Sequence, residues 1–227
     1  MDSLFVFFLV AFLVFLHLFA DFVSVYVKRF HNEIISFSAG LFIALIFLEF
    51  IPQINAGALK AGKFIYFLFL AGFIFFHLTE KYVYQHAKDR RILKKEISLL
   101  HVIGFVLDQF IVGFAFYAFV VHFAFSVFIF VPLAIHTVAS SLGFIEISKG
   151  FKRNKLLELV LSASPLAGAF VAANFSRSDF LIFSSFSLVL GALLYVVIRD
   201  LTPQGKAGKI SFFLLGVSII VLGILVF

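Results

Sequence analysis

Asp108 and His136 are the residues of this chain best suited to chemistry, because each sits deep within an apolar run. Asp108 falls in His101-Val-Ile-Gly104-Phe-Val-Leu-Asp108-Gln109-Phe-Ile-Val-Gly113. A carboxylate at mid-bilayer depth costs about 2.5–3.5 kcal/mol on insertion scales, so it needs a partner, water or an ion. His101 lies on nearly the same helical face but about 10 Å along the axis, too far for both to hold one ion without a third element. His136 opens the stretch His136-Thr137-Val138-Ala139-Ser140-Ser141-Leu142-Gly143. His136 and Ser140, at i and i+4, share a face, and Thr137 with Ser141 makes a second polar pair beside it. Neutral imidazole with a carboxylate suits zinc, iron, manganese or a similar divalent ion. The same groups bonded to each other or to the hydroxyls would make a buried structural contact. Both readings stay open on the residues alone.

Two further acids occupy matching contexts. A glycine, eight residues, an acid, two residues and Pro-Gln occur as Gly40, Glu49, Pro52, Gln53 and again as Gly191, Asp200, Pro203, Gln204, 151 residues apart. If the second and seventh of eight spanning helices carry the two copies, they point in opposite directions. That is the pattern of an inverted repeat, common among secondary transporters. Pro132 and Pro165 are expected to interrupt the fifth and sixth helices, and such breaks at membrane depth often border a binding cavity.

The elements that must position these residues are membrane helices. The chain is 63% hydrophobic and 13% charged over 227 residues, with mean hydropathy +1.15, far from the roughly one-quarter charged residues of a soluble domain. The 37 Phe supply lipid-facing and interhelical bulk. No Cys means no disulfide and no thiolate metal site. Met1-Asp2-Ser3 lacks the basic start of a signal peptide, so the first apolar run is expected to stay as a helix. Spans are predicted at about 4–27, 34–53, 63–84, 99–121, 124–148, 156–174, 180–201 and 209–227, each near the ~20 residues a bilayer requires. With the N-terminus outside, all of the 18 Lys and Arg except Lys60, Lys63 and Arg177 fall on the inner side. That asymmetry predicts eight spans with both termini extracytoplasmic. The net charge of +6 therefore orients the protein and meets anionic lipid heads; nucleic acid is not expected as a partner. Residues 85–98 are the one long hydrophilic segment and are expected to form a basic cytoplasmic loop. Small residues Ser36, Ser38, Ala39, Gly40 and Ser162 through Gly168 predict close helix contacts.

These residues resemble the ZIP family of zinc-iron permeases in order along nearly the whole chain. Ser36-Phe37-Ser38-Ala39-Gly40 continuing to Pro52 resembles its second helix, and Gly72-Phe73 to Glu80-Lys81 its third. Ser164-Pro165-Leu166-Ala167-Gly168 resembles the sixth, and Leu190-Gly191 through Tyr195 to Pro203 the seventh. The resemblance implies an all-α, polytopic single domain over residues 1–227, with helices 1–3 and 6–8 arranged as an inverted repeat around helices 4 and 5. The metal motifs depart from the family. Aligning the last glycine of the helix-4 motif with Gly113 leaves its Asp on Asp108 but puts its His on Gly104, its Asn on Phe105 and its first Gly on Gln109. In helix 5 the first His falls on His136, while the remaining motif positions become Thr137, Ala139, Ser140, Ser141 and Phe144. In helix 2 the family His falls on Glu49 and the acid after the proline on Gln53. One carboxylate and one imidazole thus survive from what resembles a two-metal centre.

The resemblance implies uptake of a divalent metal toward the cytoplasm, zinc first with iron or manganese as alternatives, across the cell membrane. The metal is cargo, and no resident cofactor is expected. Its ligand set would be Asp108 and His136, completed by Ser140, Gln109, water or Glu49. Glu49 and Asp200 would serve the vestibules or pair with Arg199. Restoring His at positions 104 and 140 should tighten binding. The alternatives are a transport-silent homologue acting as a membrane scaffold, or the same fold carrying another solute. A homodimer is left open. No acid–base or nucleophile constellation points to an enzyme.

Overall fold

The computed structural model describes residues 3–86, 90–122, 127–147, 155–175, 178–201 and 208–226. Among them the chain is all-helical, in eight rods with no strand. The first, α1, is Ser3–Val27; a 3₁₀ turn at Lys28–Phe30 leads into α2, His31–Ala61. Then come α3, Phe64–His86, α4, Arg90–His122, α5, Val127–Ile147, and α6, Lys155–Phe175. The seventh, α7, is Asp179–Val196 and runs on through a π turn at Val197–Leu201. The last, α8, is Ile210–Val226. Helices α2, α3, α4 and α7 each contain a stretch long and apolar enough to cross a membrane. The other four contain shorter apolar stretches among the described residues. These are the helices of an integral membrane protein.

Three boundaries differ from the sequence expectation. Helix α2 does not stop at Pro52 but continues to Ala61, where Gly62 ends it with φ 92° and its N–H bonded to the Ala58 carbonyl at 3.0 Å. Proline lacks an N–H and crowds the carbonyl four residues back, here Leu48. The chain accommodates this with a π turn at Ile46–Phe50, just before the proline. The expected loop over 85–98 is also largely helix: α3 reaches His86 and α4 begins at Arg90, leaving only 87–89 outside the described residues. From Arg90 to Ser98 the segment contains no Gly or Pro and is rich in Lys, Arg and Ile, so nothing in that stretch ends a helix. Finally, Pro132 and Pro165 sit inside continuous helices rather than interrupting them. The fold holds both prolines without a break.

Helix α4 is central. Ile111 through Val120 are all buried, and a helix enclosed on every side is a core helix. By contrast α1 buries one stripe, Val6, Val10, Leu13, His17 and Ala20, and exposes Leu4, Phe8, Phe15 and Phe22. Helices α3 and α8 expose most of their apolar side chains, as a surface facing lipid does.

The closest packing joins α4 to α6, α3 to α7 and α2 to α8. Each contact is made by a reciprocal pair of glycines. A Cβ on Gly113 would meet the Pro165 carbonyl oxygen at 1.9 Å, and one on Gly168 would meet that of Phe110 at 1.9 Å. Likewise Gly191 lies on the Phe69 oxygen and Gly72 on that of Leu188, while Gly40 lies on the Phe213 oxygen and Gly216 on that of Phe37. In every case the carbonyl belongs to the residue three before the partner glycine. Small residues let backbones approach this closely, as the expectation for Gly40 and Gly168 required.

Candidate functional site

Asp108 of α4 and His136 of α5 meet in the interior, each 1% exposed. His136 Nε2–H donates to Asp108, at 3.0 Å from Oδ1 and 3.2 Å from Oδ2. One helical turn further along α5, the Ser140 hydroxyl donates to Oδ2 at 2.7 Å. Gln109 Nε2, next in sequence to Asp108, donates to Oδ2 at 3.2 Å. The i, i+4 spacing on α5 thus delivers both groups to one carboxylate. The structure brings Asp108, His136, Ser140 and Gln109 together.

The imidazole plane is fixed from a third helix. The Phe42 ring of α2 stacks on His136 with centroids 3.9 Å apart and planes 11° from parallel. Sequence reasoning missed this contact. The available signal was the small-residue stretch Ser36–Gly40, which draws α2 into the core just before Phe42.

The cluster also holds polar capacity that the described protein atoms do not use. His136 Nδ1 and Gln109 Oε1, with Thr137 Oγ1 next to His136 in sequence, are buried without a hydrogen-bond partner among the described residues. An unmet buried polar atom costs about 1–3 kcal/mol, so a group of them marks where water, an ion or a polar solute would be welcome. Ser141 turns the other way. Its hydroxyl donates to the Thr137 carbonyl at 2.6 Å, leaving Oγ to accept from His17 Nδ1–H of α1 at 2.7 Å.

Glu49 does not join the cluster. It lies half-buried in the π turn of α2, seven residues beyond Phe42 and so about 10 Å further along the axis. Among the described residues no group of three or more His, Cys, Asp or Glu could hold a metal. An ion here would have one carboxylate, one imidazole and a hydroxyl. The side chains of His101 and Asp200, and the Pro203-Gln204 segment, lie outside the described residues.

Arg199 faces Glu80 of α3, with Nη1 at 3.5 Å from Oε2, a pairing not foreseen from the sequence. The Gly72–Gly191 contact explains this, because it holds α3 against α7 and brings Glu80 beside the π turn. The Tyr195 hydroxyl donates to the same Glu80 oxygen, and the Arg199 Cζ stands 5.9 Å from the Tyr195 ring centre. The guanidinium also packs on α4: a Cβ on Gly104 would lie 2.6 Å from Nη2. Restoring a histidine at position 104 therefore collides with Arg199. The sequence did contain a hint, since a glycine inside a helix costs about 1 kcal/mol relative to alanine and needs a reason.

The chain matches no protein-family model, and no curated protein shows significant similarity to it.

Proposed function

We propose that this chain is a ZIP-like carrier of divalent metal, zinc first with iron or manganese as alternatives, moving its cargo toward the cytoplasm between α4 and α5. The observation that carries this reading is the convergence of Asp108, His136 and Ser140 on one buried point. Ligands about 2.0–2.1 Å from a tetrahedral ion stand roughly 3.3 Å apart, close to the 3.0 and 3.2 Å separations between His136 Nε2 and the Asp108 oxygens. Asp108 supplies charge, and His136 favours borderline metals over magnesium and calcium. The unmet polar atoms nearby suit water completing the shell. Two strong ligands bind weakly, which a carrier tolerates because it must also release.

The inverted repeat belongs to the same proposal, and two matches support it. The π turns at Ile46–Phe50 and Val197–Leu201 stand 151 residues apart, the same step as the Gly40 and Gly191 signatures. The α2–α8 and α3–α7 contacts also exchange under one operation: Gly40 on Phe213 becomes Gly191 on Phe69, and Gly216 on Phe37 becomes Gly72 on Leu188. Eight spans, extracytoplasmic termini and a cell-membrane location rest on the Lys and Arg distribution.

The silent-scaffold reading has its own support. Asp108 already accepts from three side chains, and Arg199 fills the position of a family ligand. Zinc binding and uptake into proteoliposomes separate the two. Under the carrier reading the purified chain binds and moves zinc, and Asp108→Ala and His136→Ala each abolish both. A chain that neither binds nor moves zinc, iron or manganese overturns the carrier reading in favour of the scaffold.

A further inference from the structure

Arg199 is the charged group beside the Asp108 cluster that the carrier reading leaves unused. Its guanidinium lies over Gly104, where an added Cβ would stand 2.6 Å from Nη2, 3.6 Å from Cζ and 3.7 Å from Nη1. The arginine head therefore occupies the side-chain space that the glycine leaves empty. Gly104 is one helical turn before Asp108, on the same face of α4 and about 6 Å along the axis. Arginine stays charged in any protein environment. This places a fixed positive charge against the face of α4 that carries Asp108.

The surroundings hold that charge at the edge of the helix packing. Glu80 from α3 faces Nη1 at 3.5 Å, Tyr195 donates to the same carboxylate, and the Tyr195 ring is itself packed edge-on against Phe73. Arg199 and Glu80 are 11% and 19% exposed, so the pair sits at the margin of the interior rather than sealed within it. The backbone under Arg199 is a π turn. Single π turns within helices are frequent at functional sites.

We propose that Arg199, seated on Gly104, is a charge gate at one end of the Asp108–His136 site, so that a cation passes that end only when the guanidinium leaves the glycine. The role as a gate for metal rests on the carrier reading of that site; the closure itself does not. A positive group at a constriction excludes cations by electrostatic repulsion as well as bulk. Glu80 and Tyr195 position the arginine. Gly104 is glycine because any side chain there would push the gate out.

The chain contains no cysteine, so a single Ser140→Cys reporter at the cluster can be read cleanly. Proteoliposomes bearing it are treated from each side with a cationic and with a neutral membrane-impermeant thiol reagent. The gate predicts slow labelling in the parent and, in Arg199→Ala, cationic labelling faster by about tenfold or more from one side only. The neutral reagent should gain less, so the cationic-to-neutral ratio rises. Gly104→Ala should shift labelling the same way by displacing the guanidinium, and it serves if Arg199→Ala does not fold. Arg199→Lys should keep the parent ratio. Equal gains for both reagents, gains from both sides, or no gain in either Arg199→Ala or Gly104→Ala overturn the gate. Zinc calorimetry on the chain with Ser140 intact tests the carrier reading separately. Altered labelling without zinc binding keeps the gate and removes the metal, and zinc binding with unaltered labelling does the reverse.

Discussion

The two π turns of this protein share a backbone and an acid, and differ most at the residue before that acid. In α2 the turn spans Ile46–Phe50, and in α7 it spans Val197–Leu201, 151 residues on. The same step carries Ala44 to Tyr195 and Leu48 to Arg199, and the matching step between α3 and α8 pairs Glu80 with Ile224. Leu48 is 44% exposed, whereas Arg199 is 11% exposed and tied to Glu80. One turn offers the bilayer a leucine; the other offers α4 an arginine held by a carboxylate and a phenol. Both turns carry an acid, Glu49 and Asp200, but the basic partner Arg199 is present in the second turn only.

The backbone half of that comparison is the harder to disturb. Gly40→Val and Gly191→Val each push side-chain atoms into a facing carbonyl, those of Phe213 and Phe69, where a Cβ alone would lie at 2.1 and 1.9 Å. Each should cost about 3 kcal/mol, the upper end for overpacking, and the two losses should be similar in denaturant titrations of the detergent-solubilised protein. Tolerance of one and not the other would break the equivalence of the two pairs. Next in size, Arg199→Leu should lose about 1.5–3 kcal/mol, the range for hydrogen bonds to charged groups. Leu48→Met at the matching position should change stability by less than about 1.5 kcal/mol. Comparable losses at both positions would mean that the chemical difference is not energetic. The smallest effect is expected from Tyr195→Phe, about 0.5–1.5 kcal/mol for one hydrogen bond. If Tyr195→Phe costs as much as Arg199→Leu, the phenol rather than the arginine anchors Glu80.

The candidate site is partly legible in the sequence. Hydropathy marks Asp108 and His136 as out of place in their surroundings, and helical spacing puts Ser140 on the face of His136. Spacing does not reveal that adjacent hydroxyls part company. Ser140 reaches Asp108 at 2.7 Å, while Ser141 meets His17 of α1. Successive residues on a helix point about 100° apart, so each looks toward a different neighbour, and the neighbours come from distant parts of the chain. Phe42 escapes notice for the same reason. Aromatic residues are so common here that no one of them stands out until its ring lies on an imidazole.

What the sequence determined by itself is therefore everything set by local periodicity and composition. This covers the all-helical class, the number of rods, two of the six glycines where backbones touch (Gly40 and Gly168), and the acid and histidine of the candidate site. Its errors were at boundaries: α2 ran past Pro52, and the basic segment from Arg90 on is helical, because a π turn absorbs a proline and polar helix formers do not stop a helix. Only the tertiary structure decided which charge faces which. Arg199 lies on Gly104 because the Gly72–Gly191 contact sets α7 against α3, and the packing of both against α4 carries the arginine to a glycine 95 positions earlier in the chain. Coulombic and steric complementarity act through space, and nothing in local spacing encodes a partner so far along the chain.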